Sequence, residues 1–117
     1  MAAIARILVV EDEPLVAETI ATALAETYLV VTVETAAAAE PHVRERSTDL
    51  LLLDCLLPGG QLGELIAHAD AAEIPVVLMS GDLQRIEQLQ DGKRPFLSKP
   101  FTIDALFAVV QRGLGRA

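Results

Sequence analysis

Four consecutive leucines, Leu50-Leu51-Leu52-Leu53, run directly into an aspartate, Asp54. Neighbouring side chains of a strand point to opposite faces, so an unbroken apolar run needs cover on both sides. A carboxylate at the end of such a buried strand needs a partner, because a bare charge there is costly. Leu57-Pro58-Gly59-Gly60 then closes the segment with a turn. This one stretch already implies a parallel sheet between layers of helices, with an acid at a strand's carboxyl end.

The rest of the chain repeats that alternation. Arg6 to Val10 is a compact apolar run, and Pro14 to Ala25 follows with Leu15, Val16, Ile20, Ala23 and Leu24 on one helical stripe. Pro14 suits a first helical turn, where its missing N–H costs nothing. Tyr28 to Val33 reads as a second strand and Ala36 to Arg46 as an alanine-rich helix, with Pro41 marking a kink or late start. Leu62 to Ala72 reads as a helix, Pro75 to Ser80 as a fourth strand, and Leu83, Ile86 and Leu89 as a short helix. Pro95-Phe96-Leu97 is a short fifth strand. Thr102 can cap a last helix carrying Ile103, Leu106, Phe107, Val110 and Leu114. The expected fold is α/β: one doubly wound, flavodoxin-like domain over residues 1–117 with five parallel strands; if their order is 2-1-3-4-5, strands one and three are neighbours.

Ligands of such a sheet bind beyond the strands' carboxyl ends, where the strand order reverses. Glu11 and Asp12 follow strand one, Asp54 ends strand three, Ser80 ends strand four and Lys99 follows strand five. Three carboxylates, a hydroxyl and an ammonium therefore converge on one edge. Clustered carboxylates repel one another, and a divalent cation relieves the repulsion. Hard oxygen ligands favour Mg²⁺ over zinc. Three carboxylates and one lysine sum to -2, which Mg²⁺ brings to zero, and such a site can accept a transferring phosphoryl group.

The formal charge of -8 is uneven: residues 1–58 hold 10 acidic and 3 basic groups, residues 59–117 hold 7 and 6. That balance argues against direct nucleic-acid binding. The single Cys55 excludes an internal disulfide and a cysteine-based zinc site. No apolar run reaches the ~18 residues of a membrane span and no signal-peptide pattern precedes strand one, so a cytoplasmic setting without membrane insertion is expected.

The ordered set Ile7-Leu-Val-Val-Glu-Asp-Glu-Pro14, Leu51-Leu-Leu-Asp54 with Leu57-Pro-Gly-Gly60, Met79-Ser-Gly81 and Phe96-Leu-Ser-Lys-Pro-Phe101 resembles the receiver domain of bacterial response regulators in two-component signalling. The likeness covers nearly the whole chain. It implies that Asp54 is the phosphoacceptor for a sensor histidine kinase or histidine phosphotransfer protein. It implies that Glu11 and Asp12 hold Mg²⁺, Asp12 directly and Glu11 through water, with the backbone carbonyl of Leu56 as a further ligand. Lys99 would pair with a phosphoryl oxygen, through a Lys99–Pro100 bond that in the family is usually cis. Ser80 would be the switch hydroxyl and Phe96 the switch aromatic, together changing a face that contacts a downstream protein partner.

The sequence departs from the family pattern in three places. Glu11-Asp12 stands where many members carry Asp-Asp, Phe96 lacks a tyrosine's hydroxyl, and the Asp54–Ser80 and Ser80–Lys99 intervals are short. The chain ends soon after the last helix, so the expectation is a stand-alone receiver without an output domain. The alternatives are a phosphate sink or relay, a fragment of a longer regulator, or a receiver-shaped scaffold that is never phosphorylated. An aspartyl phosphatase is disfavoured because Leu56 stands where a second acid would, and a flavin binder because Glu11-Asp12-Glu13 repels phosphate. Cys55 is expected to be a buried apolar filler turned away from Asp54, and His42 and His68 surface residues. Arg85, Lys93 and Arg94 are expected to form a solvated basic scatter.

Overall fold

A computed structural model describes residues 3–57, 61–82, 84 and 94–115 of the chain. Its strands are β1 (Arg6–Val10), β2 (Leu29–Val33), β3 (Leu50–Asp54), β4 (Val76–Ser80) and β5 (Phe96–Ser98). The helices among the described residues are α1 (Pro14–Leu24), α2 (Ala36–Arg44), α3 (Leu62–Ala71) and α4 (Ile103–Gly113). All strand pairs are parallel, as the apolar patterning implies, and the order is the expected β2-β1-β3-β4-β5. The short helix expected around Leu83, Ile86 and Leu89 lies outside the described residues.

The leucine run behaves as a two-faced strand should. Leu51 and Leu53 join Leu8, Val10 and Leu78 beneath α2 and α3, while Leu50 and Leu52 join Ile7, Val9, Val77 and Met79 beneath α1 and α4. All four leucines are fully buried, each contributing about 1.5–3 kcal/mol of transfer free energy. Cys55 continues the alternation into the α2–α3 layer and is buried there.

Two helices are capped by threonine: Thr35 Oγ1 accepts from Ala38 N and Thr102 Oγ1 from Ala105 N, each at 3.0 Å. Helix α2 runs through Pro41 from a start at Ala36. Ala37 and Pro41 are both exposed, so the carbonyl that lacks a proline N–H faces water. Strands two and four each begin one residue later than expected, because Tyr28 and Pro75 precede the ladder. Strand five shifts by one to Phe96–Ser98. Leu15 is corrected from the apolar stripe of α1: it is 76% exposed, and Ile20 and Leu24 are the buried positions. Ile103 likewise sits outside the core that Leu106, Val109 and Val110 fill.

Candidate functional site

Strand register builds the site. Val10 pairs with Leu53, so the next residues along, Glu11 and Asp54, stand side by side at the carboxyl edge. Glu11 N donates to Val33 O at 3.0 Å, which fixes its backbone against the end of β2. Ser80 pairs with Ser98, and Lys99 N donates to Ser80 O at 2.9 Å, which places the lysine one step past the serine. The Lys99–Pro100 peptide is cis. The switch point between β1 and β3 thus receives side chains from four strands.

The carboxylate oxygens of Glu11, Asp12 and Asp54 lie within 4.8 Å of one another. Glu11 and Asp54 are buried and Asp12 is exposed. Lys99 Nζ donates to Glu11 Oε1 at 2.6 Å and reaches Asp54 Oδ2 at 3.4 Å. Backbone amides take up the other oxygens: Leu56 N donates to Asp54 Oδ1 at 3.0 Å and Glu13 N to Glu11 Oε2 at 3.1 Å. Buried Ser80 Oγ accepts from Asp82 N at 2.9 Å. Among these groups only Lys99 carries positive charge against three acids.

Burial pushes the Glu11 carboxyl above its ordinary pKa; the hydrogen bond from Lys99 opposes this, and neighbouring Asp54 adds to it. Burial pulls the Lys99 ammonium down, but the hydrogen bond to Glu11 and the charges of Asp54 and Glu11 outweigh it, so its pKa is raised. The donor set is all oxygen, crowded and short of positive charge, which fits a hard divalent cation.

Every residue expected at the edge from sequence is there, with different emphasis. Glu11 is the nearer partner of Lys99, not Asp54. Phe96 is 44% exposed on the edge strand. Two backbone donors escaped the sequence reading: the amides of Leu56 and Asp82. Both lie two residues beyond the oxygen they serve, the offset of side-chain-capped turns, which was the available signal. Cys55 is buried in the α2–α3 layer, and the histidines pair elsewhere: His68 Nδ1 lies 2.7 Å from Glu40 between α3 and α2, and His42 Nδ1 lies 3.3 Å from Ser47. Arg94 is a correction: its guanidinium forms two 2.8 Å bonds to Asp70 and its side chain is mostly buried. Arg85 and Lys93 lie outside the described residues.

A parallel doubly wound sheet with this acid cluster, hydroxyl and lysine at its switch point defines a receiver-type α/β domain. Residues 7–111 match the family model described as the response regulator receiver domain, and the chain belongs to that family. The transcriptional regulatory protein TcrA of Mycobacterium tuberculosis is 37% identical over 88% of this chain, which spans 43% of that protein. The phosphate regulon transcriptional regulatory protein PhoB of Escherichia coli is 32% identical over 95% of this chain, which spans 52% of its length. Among solved structures, NtrX from Brucella abortus in complex with ATP superposes with a TM-score of 0.83 at 30% identity, covering 97% of this chain and 27% of that one. The chain therefore spans about half, or less, of the length of these relatives. Among the described residues no helix is long and apolar enough to cross a membrane.

Proposed function

We propose that the chain is a phosphoryl-accepting receiver of a two-component system, and that Asp54 takes the group from a phosphohistidine on a histidine kinase or phosphotransfer protein. A carboxylate oxygen of Asp54 bonds to phosphorus, the phosphorus–nitrogen bond breaks, and the imidazole leaves and takes up a proton. The observation that carries this reading is the placement of Lys99 Nζ within reach of both Glu11 and Asp54, inside an acid cluster on the switch-point edge.

Glu11, Asp12, Asp54 and the Leu56 carbonyl would hold Mg²⁺, whose charge offsets the acids and the incoming phosphoryl oxygens. The chain's own groups do the rest. Leu56 N orients Asp54 through Oδ1. Lys99, held at 2.6 Å by Glu11, is positioned to pair with a phosphoryl oxygen on Asp54. Ser80 Oγ accepts from Asp82 N, and its proton remains to be donated to the phosphoryl group. Drawing Ser80 toward the acceptor favours an inward Phe96, and because Phe96 has no hydroxyl this coupling works by packing alone. The face that changes lies along β5 and α4, where a groove of about 470 Å³ is lined by Phe96, Phe101, Ala105 and Val109. The downstream partner that reads this face is a protein.

The test is intact mass after incubation with Mg²⁺ and acetyl phosphate. One added phosphoryl group, labile to base, prevented by EDTA and absent in Asp54→Ala, supports the proposal. An unchanged gain in Asp54→Ala sinks it.

A further inference from the structure

The chain leaving β4 carries two linked side-chain turns. Ser80 Oγ accepts from Asp82 N at 2.9 Å, and Asp82 Oδ1 accepts from Gln84 N at 2.9 Å. Each oxygen serves the amide two residues on, the geometry in which a Ser or Asp side chain stands in for a backbone turn. Asp82 therefore accepts through its carboxylate and donates through its own N–H. It joins the buried hydroxyl at the strand end to the chain that follows.

The surroundings say what those bonds control. Lys99 N donates to Ser80 O at 2.9 Å, and Cys55 N donates to Met79 O at 2.9 Å, so the sheet fixes the backbone here. The freedom left to Ser80 is rotation of its side chain about Cα–Cβ. Packing does little to hold the next residue. A Cβ on exposed Gly81 would meet Lys99 O at 3.6 Å and Lys99 Cβ at 4.0 Å, which are ordinary contacts. Hydrogen bonds, not close packing, set where the hydroxyl rests.

We propose that Asp82 is a positioning residue that holds Ser80 in its resting rotamer. Its carboxylate is clamped on Gln84 N, which keeps its own N–H aimed at Ser80 Oγ. The inference rests on the reading of Ser80 as the hydroxyl drawn toward a phosphoryl group on Asp54. Turning Ser80 that way gives up the bond from Asp82 N, so Asp82 weights the equilibrium toward the resting form. The acceptor oxygen matters here and the charge does not. Asparagine keeps an oxygen for Gln84 N and should hold Ser80 as aspartate does, whereas alanine should release it. A mere cap of the segment after β4 would use the same bond from Gln84 N but would leave the Ser80 rotamer indifferent to residue 82.

Two measurements test the proposal. The first needs neither metal nor phosphoryl group: NMR of the 117-residue chain in EDTA reads the Ser80 rotamer from its Hα–Hβ couplings. The wild type and Asp82→Asn should each show one rotamer, and Asp82→Ala averaged couplings. The second titrates the same proteins with beryllofluoride, an acyl-phosphate mimic, in Mg²⁺. Asp82→Ala should bind about two- to tenfold more tightly than the wild type, the factor expected for one hydrogen bond no longer broken on binding. Asp82→Asn should stay within about twofold of the wild type. Asp82 is exposed, and an unchanged circular dichroism spectrum verifies the fold of each variant. A single wild-type rotamer in Asp82→Ala overturns the proposal, as does unchanged or weaker beryllofluoride binding by that variant. So does an Asp82→Asn that behaves like Asp82→Ala. Absence of beryllofluoride binding by the wild type itself would count against Asp54 as acceptor, and the rotamer comparison would still decide whether Asp82 holds Ser80.

Discussion

The ammonium of Lys99 lies 2.6 Å from Glu11, a residue 88 positions earlier, and 3.4 Å from Asp54. The lysine is therefore held chiefly by Glu11 rather than by Asp54, the proposed acceptor. That contact leaves the three acids of the cluster under-compensated.

Replacing Lys99 with methionine leaves buried Glu11 and Asp54 without their ammonium. Removing one partner of a buried ion pair costs about 3–5 kcal/mol, so urea unfolding in EDTA should show a loss approaching that order. Mg²⁺ should restore more stability in Lys99→Met than it adds to the wild type. The variant, once phosphorylated, should show no amide shift around Phe96 by NMR. Equal losses with and without Mg²⁺, or a wild-type shift at Phe96, would count against the assigned role.

Asp12 is the exposed member of the cluster. Asp12→Asn removes one like charge within a few ångströms of two others, which should raise stability in EDTA by about 0.5–1 kcal/mol. It should also weaken the stabilisation by Mg²⁺, which for the wild type is about 1.4 kcal/mol at ten times Kd. Thermal unfolding with and without Mg²⁺ reads both effects, and a variant less stable than wild type in EDTA contradicts them.

Much of this site was readable because strand ends are readable. Asp54 after four leucines, Ser80 after an apolar run and Lys99 before Pro100 each mark the end of a strand, and a parallel sheet gathers those ends without further information. What sequence did not supply depends on three-dimensional distance. Whether Lys99 leans to Glu11 or Asp54 is decided by angstroms across the edge. Arg94 looked like solvated scatter because its partner Asp70 is 24 residues away on another element. Leu15 fitted the periodicity of α1 yet points outward, since a helix's first turn can extend beyond the sheet that the later turns cover.

The Asp70–Arg94 pair gives a pH signature. Asp70 has its pKa held below 3.8, chiefly by the hydrogen bond from Arg94. Its contribution is present above pH 3.8 and is lost as pH falls through the lower folded value. Asp70 is half-exposed, so screening limits the pair to about 0.5–1 kcal/mol despite its bidentate geometry. Asp70→Asn should be less stable than wild type at neutral pH, and the difference should vanish in strong acid. A difference that persists there contradicts the ion-pair account.

Gly113 ends α4 where the helix closes on the sheet. A Cβ there would lie 2.5 Å from Leu50 Cδ1 and 2.9 Å from Val77 Cγ2, both on fully packed strands. Helix propensity alone favours alanine by up to about 1 kcal/mol. Overpacking costs about 1–3 kcal/mol and wins, because neither neighbour has room to turn aside. Gly113→Ala should therefore unfold at lower urea concentration, and a stabilised variant would show that α4 can shift outward freely.

The most direct test of the account is to locate the phosphoryl group. The protein is incubated with Mg²⁺ and acetyl phosphate, the acyl phosphate is reduced with borohydride, and the peptides are sequenced by mass spectrometry. The account predicts homoserine at position 54 alone, in a Mg²⁺-dependent amount. Homoserine at position 12, a reduced side chain at Glu11, or no modification at all would contradict it.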